Sequence, residues 1–210
     1  MRALVVIVVQ LADFTDGVYL ADFEFYPARQ HEGNVPTAVC LVVRRWPSGK
    51  TWRFWSDELQ RMVAAPFPVG ERALFVAYYA SAELDCFHAL GWQAPQNILD
   101  LYVEFRCLTN GQRPLGGYGL LGALMQFGLP TITSDNKGSM RELVLAGGPW
   151  SVWEQKAILD YCESDVVALD GLLTVMSPDI DLPRGLLRGR YMKAVSCMQS
   201  VNPRFYQFML

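Results

Sequence analysis

The stretch Val18-Tyr19-Leu20-Ala21-Asp22-Phe23-Glu24-Phe25 decides how the rest of the chain can be organised. Its β-branched and aromatic residues predict a strand, and apolar side chains on both parities predict that both of its faces are covered. Alternation places Asp22 and Glu24 on one face, roughly 6–7 Å apart along the strand. Two buried carboxylates repel each other, and the strand holds no Lys or Arg to compensate them. A divalent cation with oxygen ligands is the natural partner, and a pair of solvated acids on an edge strand is the alternative.

Length and composition bound the class of protein. The chain has 210 residues, of which 51% are hydrophobic, and a net charge of −3, so it has enough length for one domain with a full core. A generally basic nucleic-acid binder is excluded, and any contact with nucleic acid must be local. Five scattered cysteines without CxxC spacing predict a reducing, cytoplasmic compartment.

Residues 1–16 are expected to form an N-terminal extension. Their apolar opening is too short to span a bilayer, and no signal-peptide cleavage site follows it, so no membrane partner is expected. An extra strand and an arbitrary start to a longer chain both remain open as explanations for it.

The rest of the pattern predicts an α/β domain. Further strands are expected at 38–45, 51–55, 73–79 and 97–101, and helices at 56–63, 82–90, 118–127, 140–146, 152–176 and 185–198. Three strands joined as hairpins, followed by alternating strands and helices, indicate a mixed sheet flanked by helices. Residues 178–183 are the expected linker, which sets the last helix apart.

The helix predicted at 152–176 offers another acid. An apolar stripe at helical spacing marks its buried face: Ile158, Cys162, Val166, Leu169, Leu173 and Met176. Asp165 lies on or beside this stripe, and Tyr161 is one turn before it on the same face. A carboxylate held against the core needs compensation, and a phenol one turn away can orient a water. A buried Asp bonded to a hydroxyl or a backbone donor is the alternative.

Two acids compete in the helix predicted at 82–90. Glu83 shares a face with Phe87 and Leu90, so its side chain is expected to point inward. Asp85 is rotated away towards His88, where an exposed acid–histidine pair is expected. Spacing therefore favours Glu83 as the inward carboxylate, with Asp85 as the alternative.

Together these residues resemble the DEDD 3′–5′ exonucleases of the tyrosine type, and they look most like the proofreading domain of polymerase-I-like, family A DNA polymerases. The Asp22-Phe23-Glu24 strand matches the first motif of that family, and Tyr161-Cys162-Glu163-Ser164-Asp165 matches its third motif, Tyr-x-x-x-Asp. The middle motif usually reads Asn-x-x-Phe-Asp, and ungapped counting back from Gly91 places Tyr79-Ala80-Ser81-Ala82-Glu83 there. The resemblance covers roughly residues 17–176 and implies an RNase H-like mixed sheet, with three antiparallel strands followed by parallel strands.

The resemblance implies a metal-dependent enzyme that hydrolyses nucleotides from single-stranded or frayed DNA 3′ ends. It implies two divalent cations, Mg²⁺ or Mn²⁺, and an attacking water oriented by Tyr161. The implied metal ligands are Asp22, Glu24, Glu83 and Asp165. Candidates for contacts with nucleic acid are Phe25, Tyr79, Arg106, Lys137 and Arg141. An RNase-D-like exoribonuclease and a weakly active scaffold domain are the alternatives, since discrimination of RNA from DNA depends on pocket geometry.

The resemblance also predicts the domain organisation. Residues 17–178 would form the exonuclease domain, and residues 179–210 look like the truncated start of a region that leads to a polymerase domain. A fragment, a truncated gene product and a stand-alone nuclease remain open, and a polymerase domain or subunit is a candidate partner.

Overall fold

A computed structural model describes residues 9–26, 36–131 and 134–201, apart from the side chains of residues 134–137 and 199–201. Its strands are β1 (Gly17–Tyr26), β2 (Thr37–Trp46), β3 (Lys50–Trp55), β4 (Ala73–Ala77) and β5 (Ile98–Asp100). They form one sheet in the order β3-β2-β1-β4-β5. β1 and β3 are antiparallel to β2, whereas β4 is parallel to both β1 and β5. The predicted mixed sheet, antiparallel first and parallel afterwards, is confirmed.

The helices surround this sheet. They are α1 (Ser56–Arg61), α2 (Ala80–Ala89), α3 (Leu101–Leu108), α4 (Leu120–Gln126), α5 (Ser134–Leu145), α6 (Val152–Met176) and α7 (Leu182–Val201). α6 has the predicted bounds, and every residue of its predicted apolar stripe is buried. Residues 1–8 of the expected N-terminal extension lie outside the described part, and Leu11–Asp13 forms a short 3₁₀ turn. Among the described residues, no helix has the length and apolarity needed to cross a bilayer.

α3 is absent from the predicted elements, which extend the fifth strand to residue 101. The strand ends one residue earlier because the Asp100 side chain accepts the backbone N–H groups of Tyr102 and Val103 and so begins a helix. The segment around Asp100 is a short apolar run, and such runs do not distinguish a strand from a buried helix by periodicity.

Each face of the sheet carries its own apolar core. On β1, Val18 and Leu20 join the core beneath α6, whereas Tyr19, Ala21 and Phe23 join the core beneath α2. The predicted coverage of both faces of this strand is confirmed. The same alternation directs the two acids of β1 towards α6.

Ion pairs connect α6 to the antiparallel strands β2 and β3. Arg44 of β2 pairs with Asp170 at 2.6 Å. Arg53 of β3 reaches Asp160 at 2.7 Å and Glu163 at 3.0 Å. These contacts fix the rotation of α6 about its axis, and with it the direction in which the remaining polar residues of the helix point.

α7 packs against α2 and β5. Arg188 makes two hydrogen bonds, of 2.7 and 2.5 Å, to the carboxylate of Glu104, which is 2% exposed. A Cβ at Gly189 would lie 2.0 Å from the carbonyl oxygen of Ile98, so glycine permits this close approach. The last helix therefore packs on the domain, although the expected linker precedes it. Its connection to a polymerase region stays a prediction.

Candidate metal centre

The two acids of β1 lie together beneath α6. Asp22 and Glu24 are each partly exposed, and one oxygen from each lies within 4.8 Å of the other and of the Cys162 sulfur. The strand alternation places them on one face, and the core on the other side of β1 prevents either from turning away. The geometry of this pair is the one that the sequence predicts.

Glu83 approaches the same pair from the first turn of α2. Its Oε2 atom accepts the backbone N–H of Phe23 at 2.8 Å, so the carboxylate lies against the β1 residue between the two acids. The side chain is 4% exposed. Burial raises the pKa of Glu83 well above its usual value, and the negative charges of Asp22 and Glu24 raise it further. Three carboxylates therefore converge at the carboxyl end of β1.

Asp85 points to the other side of α2. It is 6% exposed and accepts a 2.5 Å hydrogen bond from the Ser196 hydroxyl of α7. The prediction that Asp85 is exposed is therefore wrong: α7 covers this face of the helix and buries the acid. Two residues along a helix correspond to a rotation of roughly 200°, which explains why Glu83 and Asp85 reach different partners.

α6 supplies the remaining acid and the phenol. Asp165 is 7% exposed. Burial raises the pKa of the Tyr161 hydroxyl, as do its hydrogen bond to Asp165 and the nearby charges of Asp165, Glu24 and Asp22. The phenol is therefore protonated at neutral pH and donates to Asp165. These influences place Tyr161 close to three of the four predicted acids.

Cys162 contacts Asp22, which the sequence does not predict, because Cys162 fits the apolar stripe of α6 as an ordinary core residue. Its Sγ donates to the backbone oxygen of Asp22 at 3.2 Å and to Asp22 Oδ2 at 3.4 Å. Burial raises the pKa of the thiol well above its usual value, and the neighbouring Cys40 adds to the effect. The thiol is therefore protonated and orients the Asp22 carboxylate.

Asp100 is a second residue that sequence reasoning misses as part of this region. Besides beginning α3, it accepts the backbone N–H groups of Tyr79 at 3.1 Å and Ala80 at 2.9 Å. Burial raises its pKa to about 6, against the lowering effect of these hydrogen bonds. Its position could have indicated the capping role, since Asp is a preferred residue immediately before the first turn of a helix.

The predicted contacts with nucleic acid are not all in one place: Phe25 and Arg141 lie apart from Tyr79 and Arg106. Phe25 packs against the core beneath α2, on the face opposite the acids, and Arg141 is exposed on α5. Tyr79 precedes α2, and Arg106 is exposed on α3 beside Tyr102. The side chain of Lys137 lies outside the described part of the chain.

The donor set fits a divalent cation. It consists of carboxylate oxygens, which are the ligands that Mg²⁺ and Mn²⁺ prefer. Burial raises the pKa of Glu83, the charges of Asp22 and Glu24 raise it further, and a bound cation would relieve this repulsion. Cys162 faces the same space, but a buried, protonated thiol is not a ligand for hard cations. Asp22 and Glu24 are thus the residues close enough together to hold a metal, and Glu83 lies beside them.

Comparison with known proteins gives the fold a precedent. No family model matches the chain, and no curated protein matches its sequence. Solved structures do match it. The catalytic core of RRP6 from Trypanosoma brucei has a TM-score of 0.58 and 10% identity over 87% of this chain and 48% of its own. NrnC from Brucella melitensis with bound Mg²⁺ has a TM-score of 0.57 and 14% identity over 91% of this chain and 89% of its own.

RNase D from Trypanosoma brucei, in complex with the RNA U12, also matches. Its TM-score is 0.60 at 13% identity, over 91% of this chain and 66% of its own. The chain thus spans about half of the RRP6 core and most of NrnC. At these identities the likeness establishes the fold: the chain has an RNase H-like fold, as these structures do.

Proposed function

We propose that this protein is a metal-dependent 3′–5′ exonuclease that hydrolyses nucleotides from single-stranded 3′ ends. The observation that supports the proposal best is the convergence of α2 and α6 on the paired acids of β1. Glu83 of α2 accepts the backbone N–H between those two acids, and the Tyr161 phenol of α6 lies near both of them and near Asp165. Hydrolysis of a phosphodiester requires neutralisation of charge and an oriented water. The four carboxylates can hold cations for the first requirement, and the phenol meets the second.

The residues of the chain divide the chemistry between them. Two divalent cations held by the four acids would neutralise the phosphate and lower the pKa of the attacking water. Tyr161 keeps its proton at neutral pH, so it orients the water by hydrogen bonding and does not act as a base. Asp165 fixes the phenol, and the Cys162 thiol fixes the Asp22 carboxylate.

A single-stranded or frayed end follows from the depth of the acids. Glu83 and Asp165 are buried beneath α2 and α6, so a base pair stacked in a duplex end cannot bring its terminal phosphate to them.

Two substrates are supported by different observations. The matching structure of RNase D holds RNA, which favours an RNase-D-like exoribonuclease. The order and spacing of the three motifs, with α7 following them, resemble polymerase-I-like proofreading domains and favour DNA. The fold comparisons give the RNA substrate the stronger support.

Degradation of matched 5′-labelled DNA and RNA single strands in Mg²⁺, Mn²⁺ or EDTA tests the proposal. We expect strands that shorten from the 3′ end with either cation and stay intact in EDTA. Faster degradation of RNA would identify the protein as an exoribonuclease, and faster degradation of DNA would identify it as a DNA exonuclease of the proofreading type. Intact strands under every condition would contradict the nuclease and favour a scaffold domain.

Tyr161→Phe is expected to slow hydrolysis on the order of 100-fold, because the ring stays in place while the group that orients the water is lost. Metal affinity should stay close to that of the wild type, since the four carboxylates are unchanged. The measurements are kcat and the rise in Tm during a Mg²⁺ titration. Tyr191→Phe, at an exposed position of α7, is the matched control. A Tyr161→Phe protein that no longer binds metal would assign this phenol a structural role.

A further inference from the structure

Three strand ends meet at the edge of the sheet that carries the acids. β1, β4 and β5 are parallel, so their carboxyl ends point the same way, and ligands of open α/β sheets bind outside such ends. β1 supplies the paired acids of the metal centre there. β4 is followed at once by Tyr78 and Tyr79, and β5 is followed by Tyr102 one residue into α3. Tyrosines therefore flank the acids on the side of α3.

These tyrosines form a continuous cluster with an arginine, which we name the aromatic edge: Tyr79, Tyr102, Arg106 and Tyr118. The rings of Tyr79 and Tyr102 meet edge to face, with centroids 5.2 Å apart. Arg106 donates to the Tyr102 hydroxyl at 3.1 Å, and its guanidinium carbon lies 4.8 Å from the centroid of the Tyr118 ring. Tyr78 donates to the Tyr118 carbonyl at 2.5 Å and so ties this segment to the end of β4.

The backbone of the aromatic edge is held in a strained conformation. Tyr79 has φ 70° and ψ 57°, and it is the one non-glycine residue with positive φ in the described ranges. An L residue adopts this conformation at a cost, and such residues cluster at ligand sites. Asp100 stabilises it by accepting the N–H groups of Tyr79 and Ala80, and it also accepts that of Tyr102 at 2.9 Å. The buried Asp100 carboxylate thus holds both the segment that carries Tyr79 and the segment that carries Tyr102.

Arg106, the cation of the aromatic edge, is not held in an ion pair with any residue that the structure describes, whereas several arginines of the sheet and helices are. Arg44, Arg53 and Arg188 each pair with carboxylates. Arg106 is exposed and bonds to a phenol, and no carboxylate of the described residues lies within ion-pair distance of it. Its guanidinium can therefore accept an anionic partner without breaking an existing ion pair.

We propose that the aromatic edge binds the nucleotides next to the 3′-terminal one in a single strand, with a base against the Tyr79 and Tyr102 rings and a phosphate on Arg106. Aromatic faces with a nearby cation are the usual platform for single-stranded nucleic acid. The terminal nucleotide must reach the buried acids, whereas the rest of the strand must leave towards solvent. The rings are partly exposed and the guanidinium is exposed, and they follow the carboxyl ends of the strands parallel to β1. This subsite depends on the proposed exonuclease function for its substrate.

Binding of a short 5′-fluorescein-labelled oligothymidylate or oligouridylate, measured by anisotropy in Ca²⁺, tests the subsite. Arg106→Ala is expected to weaken binding about tenfold and to lower the salt slope of the affinity by about one. Tyr102→Leu should weaken binding by a similar factor through the loss of stacking. Arg72→Ala, which removes an exposed cation at the opposite end of β4, is the matched control and should bind as the wild type does. Equal effects of Arg106→Ala and Arg72→Ala would overturn the proposal.

A second measurement separates this proposal from the proposed function. The p-nitrophenyl esters of thymidine and uridine 5′-monophosphate carry one nucleotide and no upstream strand. Arg106→Ala should lower the ratio of oligonucleotide to ester kcat/KM about tenfold, whereas Arg72→Ala should preserve it. An unchanged ratio in Arg106→Ala would overturn the subsite. A wild type that hydrolyses neither substrate, yet binds oligonucleotide through Arg106, would overturn the nuclease and support the subsite.

Discussion

Asp22→Ala is expected to abolish hydrolysis, with a loss of about 1,000-fold or more, because it removes the carboxylate at the centre of the charge-stabilising site. Asp22 lies within reach of Glu24 and raises the pKa of Glu83, so it is the acid that the other side chains surround. The variant should also lose the rise in Tm that Mg²⁺ or Mn²⁺ gives the wild type, since a ligand that binds only the folded state stabilises it. Activity on labelled strands and thermal unfolding with and without cation are the two measurements.

Asp160→Ala is the matched control for this experiment. Asp160 is also an acid near the metal centre in sequence, one residue before Tyr161, but its side chain pairs with Arg53 and Lys156 on the outer face of α6. The control should keep both the activity and the response to cation. Activity in Asp22→Ala equal to that of the wild type would refute the nuclease assignment.

Glu83→Gln is expected to lower activity by at least about 100-fold, because even groups that only orient metal ligands contribute 10–100-fold. The amide can still accept the N–H of Phe23, so the local fold should persist. The substitution also removes a buried acid whose pKa is raised by burial and by the charges of Asp22 and Glu24. In EDTA at neutral pH we therefore expect the variant to unfold at a higher temperature than the wild type, while cation should stabilise it less.

Asp85→Asn makes the same chemical change two residues further along α2. The Asn carbonyl can still accept the hydroxyl of Ser196, so the contact with α7 should survive. Activity should change little, because this side chain lies on the face of α2 opposite Glu83. An inactive Asp85→Asn beside an active Glu83→Gln would show that Asp85 is the third carboxylate. Full activity in both variants would mean that the site works with three acids.

Local periodicity is enough to predict the elements that carry the site. Strand alternation gives the shared face of Asp22 and Glu24, and helical spacing gives the buried stripe of α6 beside Asp165. Helical spacing also predicts that Glu83 and Asp85 point to different sides of α2. These predictions succeed because the direction of a side chain within a strand or helix depends only on its position along that element. Periodicity cannot show which distant element covers each face, so it does not predict the burial of Asp85 by α7.

Contacts made by single polar groups are also beyond the sequence pattern. Asp100 reads as one residue in a short apolar run, yet it binds backbone from two segments far apart in sequence. Cys162 reads as core, and only the approach of α6 to β1 reveals its bond to Asp22. The Cys162 bond and the contacts of Asp100 with Tyr79 and Ala80 arise from tertiary packing, on which propensity and spacing carry no information.

The packing of α7 on β5 has a consequence for anyone who shortens the chain. β5 ends the sheet, and an uncovered terminal strand offers its N–H and C=O groups to another chain, which is a route to aggregation. A chain cut between residues 178 and 183 would expose this strand and would also remove Arg188, the partner of the Glu104 carboxylate. Precipitation of such a fragment would indicate that α7 is needed to cover β5. A shortened chain that stays soluble should therefore end beyond α7.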